Sequence, residues 1–277
     1  MILSEINIYP VKSLRGISLG EAVVERRGLQ YDRRWMLVDE KNQFFTQREF
    51  PKMATLVPEI KSGGLQISAG ESSILIPFEL DSNETVRVRI WSSSCRAKVY
   101  DDSINQFFRD VLQTDCKLVL MPVETERRVN YFYAVHKDDH VSFADAYPFL
   151  LIGEKSLADL NEKLENPVPM NRFRPNFVVS GSDAFEEDGW KRIRIGPSVF
   201  HIAKPCARCV MTTIDQTEGV KTGVEPLKTL ASFRIPKRSV KQKILFGQNL
   251  IAERAGDVLR VGDKVEILET KKRPVFK

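Results

Sequence analysis

The sequence is poor in cysteine and histidine, and it has no long apolar run. Four of its 277 residues are cysteine and three are histidine, too few cysteines for a disulfide-rich scaffold. Its apolar stretches, such as "PFLLIG", are far shorter than the roughly 20 residues that cross a bilayer. Glu5 stands where a signal peptide would carry positive charge. We therefore expect free thiols, no membrane span and a cytoplasmic location.

The sequence also lacks the marks of a nucleic-acid-binding protein. Lysine and arginine number 42 against 37 aspartate and glutamate, for a net charge of +5. The excess is concentrated in "FRIPKRSVKQK" and "KKRPVFK", but no aromatic interleaving or reader motif accompanies these runs. Such runs are typical of solvated loops, or of contacts with an acidic partner. We expect no nucleic-acid ligand.

Alternating apolar and polar residues predict short strands over the first ninety residues and again after residue 176. The early strands include "EINIYPV", "RWMLVDE" and "VRVRIW", and the later ones "NFVVSG", "SVFHIAK" and "VLRVGDKVEIL". Turn formers in "VDEKNQFF" predict a hairpin between residues 35–40 and 44–47. Many short strands at close spacing favour a barrel or sandwich, in a mainly β fold with a few helices (α+β).

Three segments have helical character. In "DDSINQFFRDVLQTD" the apolar side chains recur at i, i+3, i+4, i+7 and i+8, and Asp102 or Ser103 is the expected N-cap. In "EKSLADLNEKLEN" the spacing of Ser156 and Asp159 predicts a capping box. In "EPLKTLASF" Pro226 lies near the first turn. With no repeat or low-complexity linker, the loop after Pro122 is the best boundary, and it divides the chain into domains 1–122 and 123–277.

Two cysteines, Cys206 and Cys209, form a Cys-x-x-Cys pair in "PCARCVMTTID". A structural zinc site needs four ligands, and the remaining cysteines and histidines offer poor candidates. A redox dithiol usually precedes a helix, whereas "VMTTID" reads as a strand that would present Cys209. The pair could also pack as small apolar side chains, or Cys209 alone could be a soft ligand to a metal held mainly by another group. Composition leaves these readings open.

Six motifs, in order over most of the chain, resemble the MOSC family, which is named for the C-terminal domain of molybdenum cofactor sulfurase. They are "IYPVKSLRG", "YDRRWMLVDE", "FRPNFVVSG" with "FEEDGW", "CARCVMTTID", "LFGQNL" and "VLRVGDKVEIL". Their order and spacing are similar to those of members with a MOSC N-terminal β-barrel domain, namely the bacterial YcbX-type proteins and the mitochondrial amidoxime-reducing component. The resemblance implies a MOSC N-terminal domain over 1–122 and a MOSC domain over 123–277.

The resemblance also implies the site. It assigns the metal ligand to Cys209 rather than Cys206, and it places a catalytic acidic residue near the metal at Asp145. The cofactor would be the molybdenum cofactor, molybdopterin, whose phosphate and polar rings need fixed charge and directional donors. The residues that match the family's cofactor positions are Lys12, Ser13, Arg33, Arg174 and Asn176.

Some neighbours of these residues are expected to have other roles. Arg33 and Arg34 would face opposite sides of a strand, so Arg34 is expected at the surface or in a salt bridge. The acidic run of "FEEDGW" is expected to be a structural turn anchored by Trp190. Thr212 and Thr213 are expected to set the strand that presents the metal ligand.

By resemblance, the chain is a molybdenum-cofactor oxidoreductase that reduces small N-hydroxylated compounds, such as hydroxylaminopurines, hydroxylamines and amidoximes. Several YcbX-type relatives continue into a ferredoxin domain, whose four cysteines this sequence lacks after Cys209. Electrons are therefore expected from a separate flavin reductase or iron–sulfur protein. The alternatives are a non-enzymatic carrier of sulfur or molybdenum cofactor, and an anion-binding protein without the cofactor. At family level, pyridoxal phosphate binding is also implied.

Overall fold

The computed structural model describes residues 1–80 and 84–277. The strands in this part of the chain are β1 (Ile2–Ile8), β2 (Ile17–Leu19), β3 (Glu21–Glu25), β4 (Gly28–Leu29), β5 (Trp35–Val38), β6 (Val57–Lys61), β7 (Gly64–Ala69), β8 (Ser72–Pro77), β9 (Thr85–Ile90), β10 (Ser93–Val99), β11 (Lys117–Leu120), β12 (Phe149–Gly153), β13 (Phe177–Ser180), β14 (Trp190–Ile195), β15 (Ser198–Ala207), β16 (Leu245–Ala252), β17 (Val258–Arg260) and β18 (Val265–Thr270). The α-helices are α1 (Asp102–Leu112), α2 (Glu154–Asn161) and α3 (Leu227–Phe233). The mainly β fold is confirmed. In the described residues, no helix is long and apolar enough to span a membrane.

The largest sheet has eight strands in the order β18-β14-β15-β16-β12-β13-β1-β2. Its neighbours are antiparallel, except that β12 and β13 run parallel. Stacked and edge-to-face rings of Phe149, Phe177 and Phe200 lie in its core, with centroids 5.2–5.5 Å apart. The sheet is curled into a half-barrel because its apolar face closes around these rings.

Strands from the start of the chain complete sheets that later strands form. Strand β1 pairs with β13, Ile2 opposite Ser180, and strand β3 pairs with β17, Ala22 opposite Leu259. The boundary after Pro122 stays a prediction. Whatever its place, residues 2–25 pack against the C-terminal region, and this brings the "PVKS" segment next to the motifs of the second half.

A second core forms between residues 35 and 120. Strands β5, β11, β10 and β9 make a four-stranded sheet, and β6, β7 and β8 make a three-stranded one. Helix α1 buries Ile104, Phe108 and Leu112, as its periodicity predicts. Its N-cap is Asp101, whose side chain accepts a hydrogen bond from the Ile104 backbone, so the prediction of Asp102 or Ser103 is wrong by one or two residues.

Only part of the predicted hairpin forms. Strand β5 ends at Val38, which makes a single bridge to Phe44, and a backbone hydrogen bond joins Phe45 to Leu37. The chain then turns at residues 47–49 instead of continuing as a strand. Arg48 lies in this turn.

The predicted capping box of α2 is wrong. The helix begins at Glu154 with Gly153 as its N-cap. The Ser156 hydroxyl instead donates to the buried Glu187 carboxylate at 2.9 Å and accepts from the Phe185 backbone at 2.7 Å. This serine therefore ties the helix to the "FEEDGW" turn, which is a 3-10 turn over Glu186–Gly189.

The predicted strand "VMTTID" is also wrong. Strand β15 ends at Ala207, and Val210–Thr213 form a 3-10 turn. The Thr212 hydroxyl donates to the Cys209 carbonyl at 3.0 Å, and the Thr213 hydroxyl donates to the Val210 carbonyl at 2.8 Å. Such local hydrogen bonds favour a turn over an extended strand despite the β-branched composition. Cys209 is thus the residue at which an extended backbone enters a turn.

Candidate functional site

All seven side chains that the sequence singles out line one pocket. The pocket lies where residues 12–13 and the segment just before β5 meet the segments next to β12, β13 and β15. Its predicted members are Lys12, Ser13, Arg33, Asp145, Arg174, Asn176 and Cys209. Residues far apart in the chain are brought together because β1 completes the sheet of the second half.

Lys12 and Asp145 form an ion pair in the pocket wall. The Lys12 ammonium is buried and donates to Asp145 Oδ1 and, at 2.9 Å, to the Phe143 carbonyl. Burial lowers the pKa of Lys12, and the neighbouring carboxylate opposes this shift. Desolvation raises the pKa of Asp145, but Lys12 and Arg48 outweigh it, and the net pKa lies well below its usual range. Asp145, with half of its side chain exposed, is therefore an anion at neutral pH.

Two arginines contact the ring of Tyr9. The guanidinium carbons of Arg33 and Arg174 lie 4.3 and 4.2 Å from the ring centroid. Arg33 also donates to the buried Asp32 carboxylate at 2.6 Å, and Arg174 to the Gln216 side chain at 3.1 Å. Burial lowers the pKa of Arg174 to about 10, so it is charged at neutral pH. The aromatic ring and these acceptors fix the direction of both cations.

Three of the pocket residues have left-handed backbone. The φ angles are 69° at Ser13, 51° at Arg33 and 54° at Arg174. Residues other than glycine adopt this region rarely and at a cost of about 1–3 kcal/mol, and such strain concentrates at functional sites. Strain at three residues that converge on one pocket supports its functional role.

The Asn176 side chain links three segments of the pocket wall by hydrogen bonds. Its Oδ1 accepts hydrogen bonds from Arg33 Nη1 at 3.1 Å and from the Leu150 backbone at 3.2 Å, and its Nδ2 donates to the Asn7 carbonyl at 3.0 Å. The neighbouring Ser13 is buried, and its carbonyl accepts from Gln47. Asn176 therefore orients Arg33 as well as lining the pocket.

The prediction that Arg33 and Arg34 face opposite sides of a strand is wrong, because both residues precede β5. Arg33 turns toward the pocket through its left-handed backbone. Arg34 forms the expected salt bridge, with Glu25, but this arginine is buried rather than at the surface.

Cys206 and Cys209 both line the pocket, and both are free and partly buried. Arg48 Nη2 donates to Cys209 Sγ at 3.3 Å, whereas the Cys206 thiol contacts the Ala207 carbonyl at 3.8 Å and the Asn249 side chain. Burial raises the pKa of the Cys206 thiol. The two cysteines therefore differ, because Cys209 accepts a direct hydrogen bond from an arginine.

Sequence reasoning missed three arginines of the pocket, namely Arg48, Arg172 and Arg208. Arg172 donates to the Thr222 hydroxyl and the Asp215 carboxylate. Arg208 lies between the two cysteines and donates to the carbonyls of residues 173 and 246. Arg208 could have been predicted, because it lies inside the cysteine motif. No local sequence pattern marks Arg48 or Arg172 as pocket residues.

The pocket fits an anionic group. Six cations line it, Lys12, Arg33, Arg48, Arg172, Arg174 and Arg208, against the one carboxylate Asp145. Arg172 Nε and Arg208 Nη2 are buried and have no hydrogen-bond partner in the structure. Buried donors of a cation are costly when unpaired, so both favour an acceptor such as a phosphate.

In the described part of the chain, protein side chains alone do not form a metal site. Among residues 1–80 and 84–277, no group of three or more histidine, cysteine, aspartate or glutamate side chains is placed to hold a metal ion. A metal bound by the soft Cys209 sulfur would therefore take its other ligands from a cofactor. This donor set, one thiol among arginines, fits a metal carried by an anionic organic group.

Comparisons with known proteins agree with the motifs. Residues 1–115 match the MOSC N-terminal beta barrel domain, and residues 138–266 match the MOSC domain. Mitochondrial amidoxime reducing component 2 of Rattus norvegicus is 34% identical over 95% of this chain and 82% of its own length. The corresponding component 1 of Homo sapiens is 30% identical over 96% and 82%.

A third relative is the molybdenum cofactor sulfurase of Oryza sativa, which is 32% identical over 95% of this chain but only 35% of the sulfurase. Among solved structures, YiiM from Geobacillus stearothermophilus overlaps 44% of this chain and 55% of its own, with 14% identity and a TM-score of 0.33. The sequence matches confirm the resemblance, and the chain belongs to the MOSC-domain family, as a homologue of the mitochondrial amidoxime-reducing components.

Proposed function

We propose that the chain is a molybdenum-cofactor-dependent reductase that converts small N-hydroxylated compounds to the corresponding amines or amidines. The observation that carries this proposal is the pocket itself, in which the Cys209 thiol lies among six cations, two of them with buried unpaired donors. The names of the relatives, amidoxime-reducing components, support the reaction class.

In this proposal Cys209 is the protein's ligand to molybdenum. Reduction of an N-hydroxyl group takes two electrons and two protons and releases water. The bound cofactor would supply the two-electron exchange. The protein would bind the metal through the Cys209 sulfur, orient the cofactor, and orient the proton-bearing group at the substrate.

The arginines and Lys12 would bind the cofactor's anionic and polar groups. Arg172 and Arg208 offer the unpaired donors and are suited to a phosphate, because a guanidinium can give two parallel hydrogen bonds. Arg33 and Arg174 are held rigid by Tyr9 and are suited to directional contacts with the ring system. Ser13 and Asn176 complete the wall between them.

Asp145 and Lys12 would orient the proton-bearing group at the substrate. Because its pKa lies below the usual range, Asp145 acts as an acceptor that orients a substrate N–H or a water molecule. Lys12 donates to Asp145 from the buried side and keeps it anionic. Arg48, 3.8 Å from the other carboxylate oxygen, adds a second positive charge.

The electrons would come from a separate donor, a flavin reductase or an iron–sulfur protein. The word "component" in the relatives' names supports a partner of this kind. The basic tail "KKRPVFK" is a candidate surface for an acidic partner, whose association would then weaken with added salt.

The test is to purify the protein from a host that makes the cofactor and to measure molybdenum and pterin per protein. We expect close to one of each, and reduction of benzamidoxime or hydroxylaminopurine with an artificial electron donor. Protein from a host that cannot make the cofactor is the control, and it should be inactive. No molybdenum in the first preparation would refute the proposal.

Asp145→Asn tests the role of the carboxylate. The amide is neutral and cannot orient a substrate N–H or a water as the anion does, so we expect kcat to fall by about a hundredfold, the loss that a misplaced reacting group can cause. Molybdenum content should change little, because Cys209 and the arginines remain. The control is Asp138→Asn, an exposed carboxylate that pairs with Arg26. A kcat equal to that of the control would remove Asp145 from the reaction.

A second candidate is carriage of the cofactor or of sulfur without turnover. It is favoured by the match to molybdenum cofactor sulfurase over 95% of this chain. Cofactor content at the expected level, with no reduction of any N-hydroxylated substrate, would support carriage over catalysis.

A further inference from the structure

Two aromatic side chains stand behind two of the pocket's cations. Lys12 Nζ lies 5.1 Å from the centroid of Phe44, and the Arg48 guanidinium carbon lies 4.8 Å from that of Trp91. The two rings meet edge to face at 5.1 Å. Because Lys12 and Arg48 also contact the two oxygens of Asp145, the five side chains form a closed ring of contacts, the Asp145 ring.

Arg48 connects the Asp145 ring to the thiol. Its Nη2 donates to Cys209 Sγ at 3.3 Å and lies 3.8 Å from Asp145 Oδ2. A guanidinium is planar and rigid, so contacts made by one of its nitrogens fix the positions of both partners relative to each other. Arg48 is thus placed to set the direction of the sulfur with respect to the carboxylate.

Trp91 holds Arg48 from outside the pocket. Trp91 is 51% exposed and lies in the turn between β9 and β10, where its backbone φ is 55°. Ile90 pairs with Ser93, and a two-residue hairpin loop of this kind requires positive φ, which accounts for the left-handed backbone of Trp91. The ring packs on Phe44 and Arg48. The indole also helps to lower the pKa of Asp145.

We infer that Arg48 is a positioning residue for Cys209, and that Trp91 keeps Arg48 in place. The inference rests on the proposed function, in which Cys209 binds the metal. Hydrogen bonds to a metal-bound sulfur tune its electronic properties, and a nearby positive charge favours the reduced state. Arg48 would therefore both fix the sulfur and raise the reduction potential of the metal.

The first test uses the protein without cofactor, labelled with carbon-13 at the cysteine β carbon. Cys209 in the wild type should show two separate β-proton signals from one fixed rotamer. In Arg48→Met these signals should average, and in Trp91→Leu they should average in part. Arg48→Lys keeps a donor but not the planar guanidinium, so averaging of the Cys209 signals should be intermediate. The buried Cys95 and Cys116 report that each variant is folded.

Arg26→Met is the matched control, because Arg26 is an exposed arginine paired with Asp138. It should leave the Cys209 signals unchanged. If Arg48→Met also leaves them unchanged, the positioning role is wrong, whatever the protein catalyses.

The second test uses protein that carries molybdenum. Arg48→Met should make the reduction potential of the metal more negative, and Trp91→Leu should shift it in the same direction by less. An unshifted potential in Arg48→Met would overturn the electrostatic part of the inference. Absence of molybdenum from the wild type would refute the proposed function instead, and the cysteine signals would still decide whether Arg48 positions the thiol.

Discussion

Cys209→Ser should give a folded protein that retains no molybdenum and reduces no N-hydroxylated substrate. A serine hydroxyl is a hard ligand that stays protonated at neutral pH, whereas thiolate sulfur suits a soft metal centre. Loss of an outer-shell partner alone costs about 10–100-fold in metal affinity, so loss of the ligand itself should cost more. The measurements are molybdenum per protein and kcat/KM with benzamidoxime and an artificial donor.

The matched control is Cys206→Ser, which changes the other cysteine of the same pocket. Its thiol contacts a backbone carbonyl at 3.8 Å and the Asn249 side chain, and it lacks the hydrogen bond from Arg48 that reaches Cys209. This variant should keep most of the metal and activity. Equal losses in the two variants would reject a single protein ligand and revive a dithiol site.

Asp188→Ala should lower the free energy of unfolding by about 3–5 kcal/mol, a large share of the 5–15 kcal/mol typical of a domain. Asp188 is buried, and its two oxygens accept from Arg234 Nη2 and Gln248 Nε2, each at 2.7 Å. Its removal leaves the Arg234 charge buried without a counter-ion. Urea unfolding followed by fluorescence measures the change.

Asp183→Ala is the control for this effect. Asp183 lies five residues earlier, is 86% exposed and pairs with Lys155 at 3.2 Å, so its removal should cost less than about 1 kcal/mol. A second comparison is Asp188→Ala combined with Arg234→Met, which removes both charges and should recover part of the loss. Equal costs for Asp188→Ala and Asp183→Ala would show that the buried pair contributes nothing.

The sequence was sufficient to predict the fold class and seven residues of the pocket, but not Arg48, Arg172 and Arg208 or the pocket's internal geometry. Period-two alternation predicts strands because side chains of a strand alternate between faces. Lys12 and Arg174, more than 160 positions apart, could be grouped only by resemblance, because no local rule reveals that β1 pairs with β13. The functional roles of these residues stay proposals.

The errors have local physical causes. "VMTTID" has strand composition, but the hydroxyls of Thr212 and Thr213 bond to carbonyls three residues back and close a turn. Ser156 has the spacing of a cap, yet a buried carboxylate from another segment competes for its hydroxyl. Arg48 was missed because it follows a broken hairpin, and its partners come from distant segments.

The pairing of the first strand has a consequence for how the chain folds during synthesis. Ile2 leaves the ribosome 178 residues before its partner Ser180. Until then β1 has an unpaired edge toward β13, and at about 5–20 residues per second this lasts roughly 10–35 s. Such sequence-distant pairing raises contact order and slows folding. Strand β1, which leads to Lys12, is therefore open to pairing with other strands until β13 has been made.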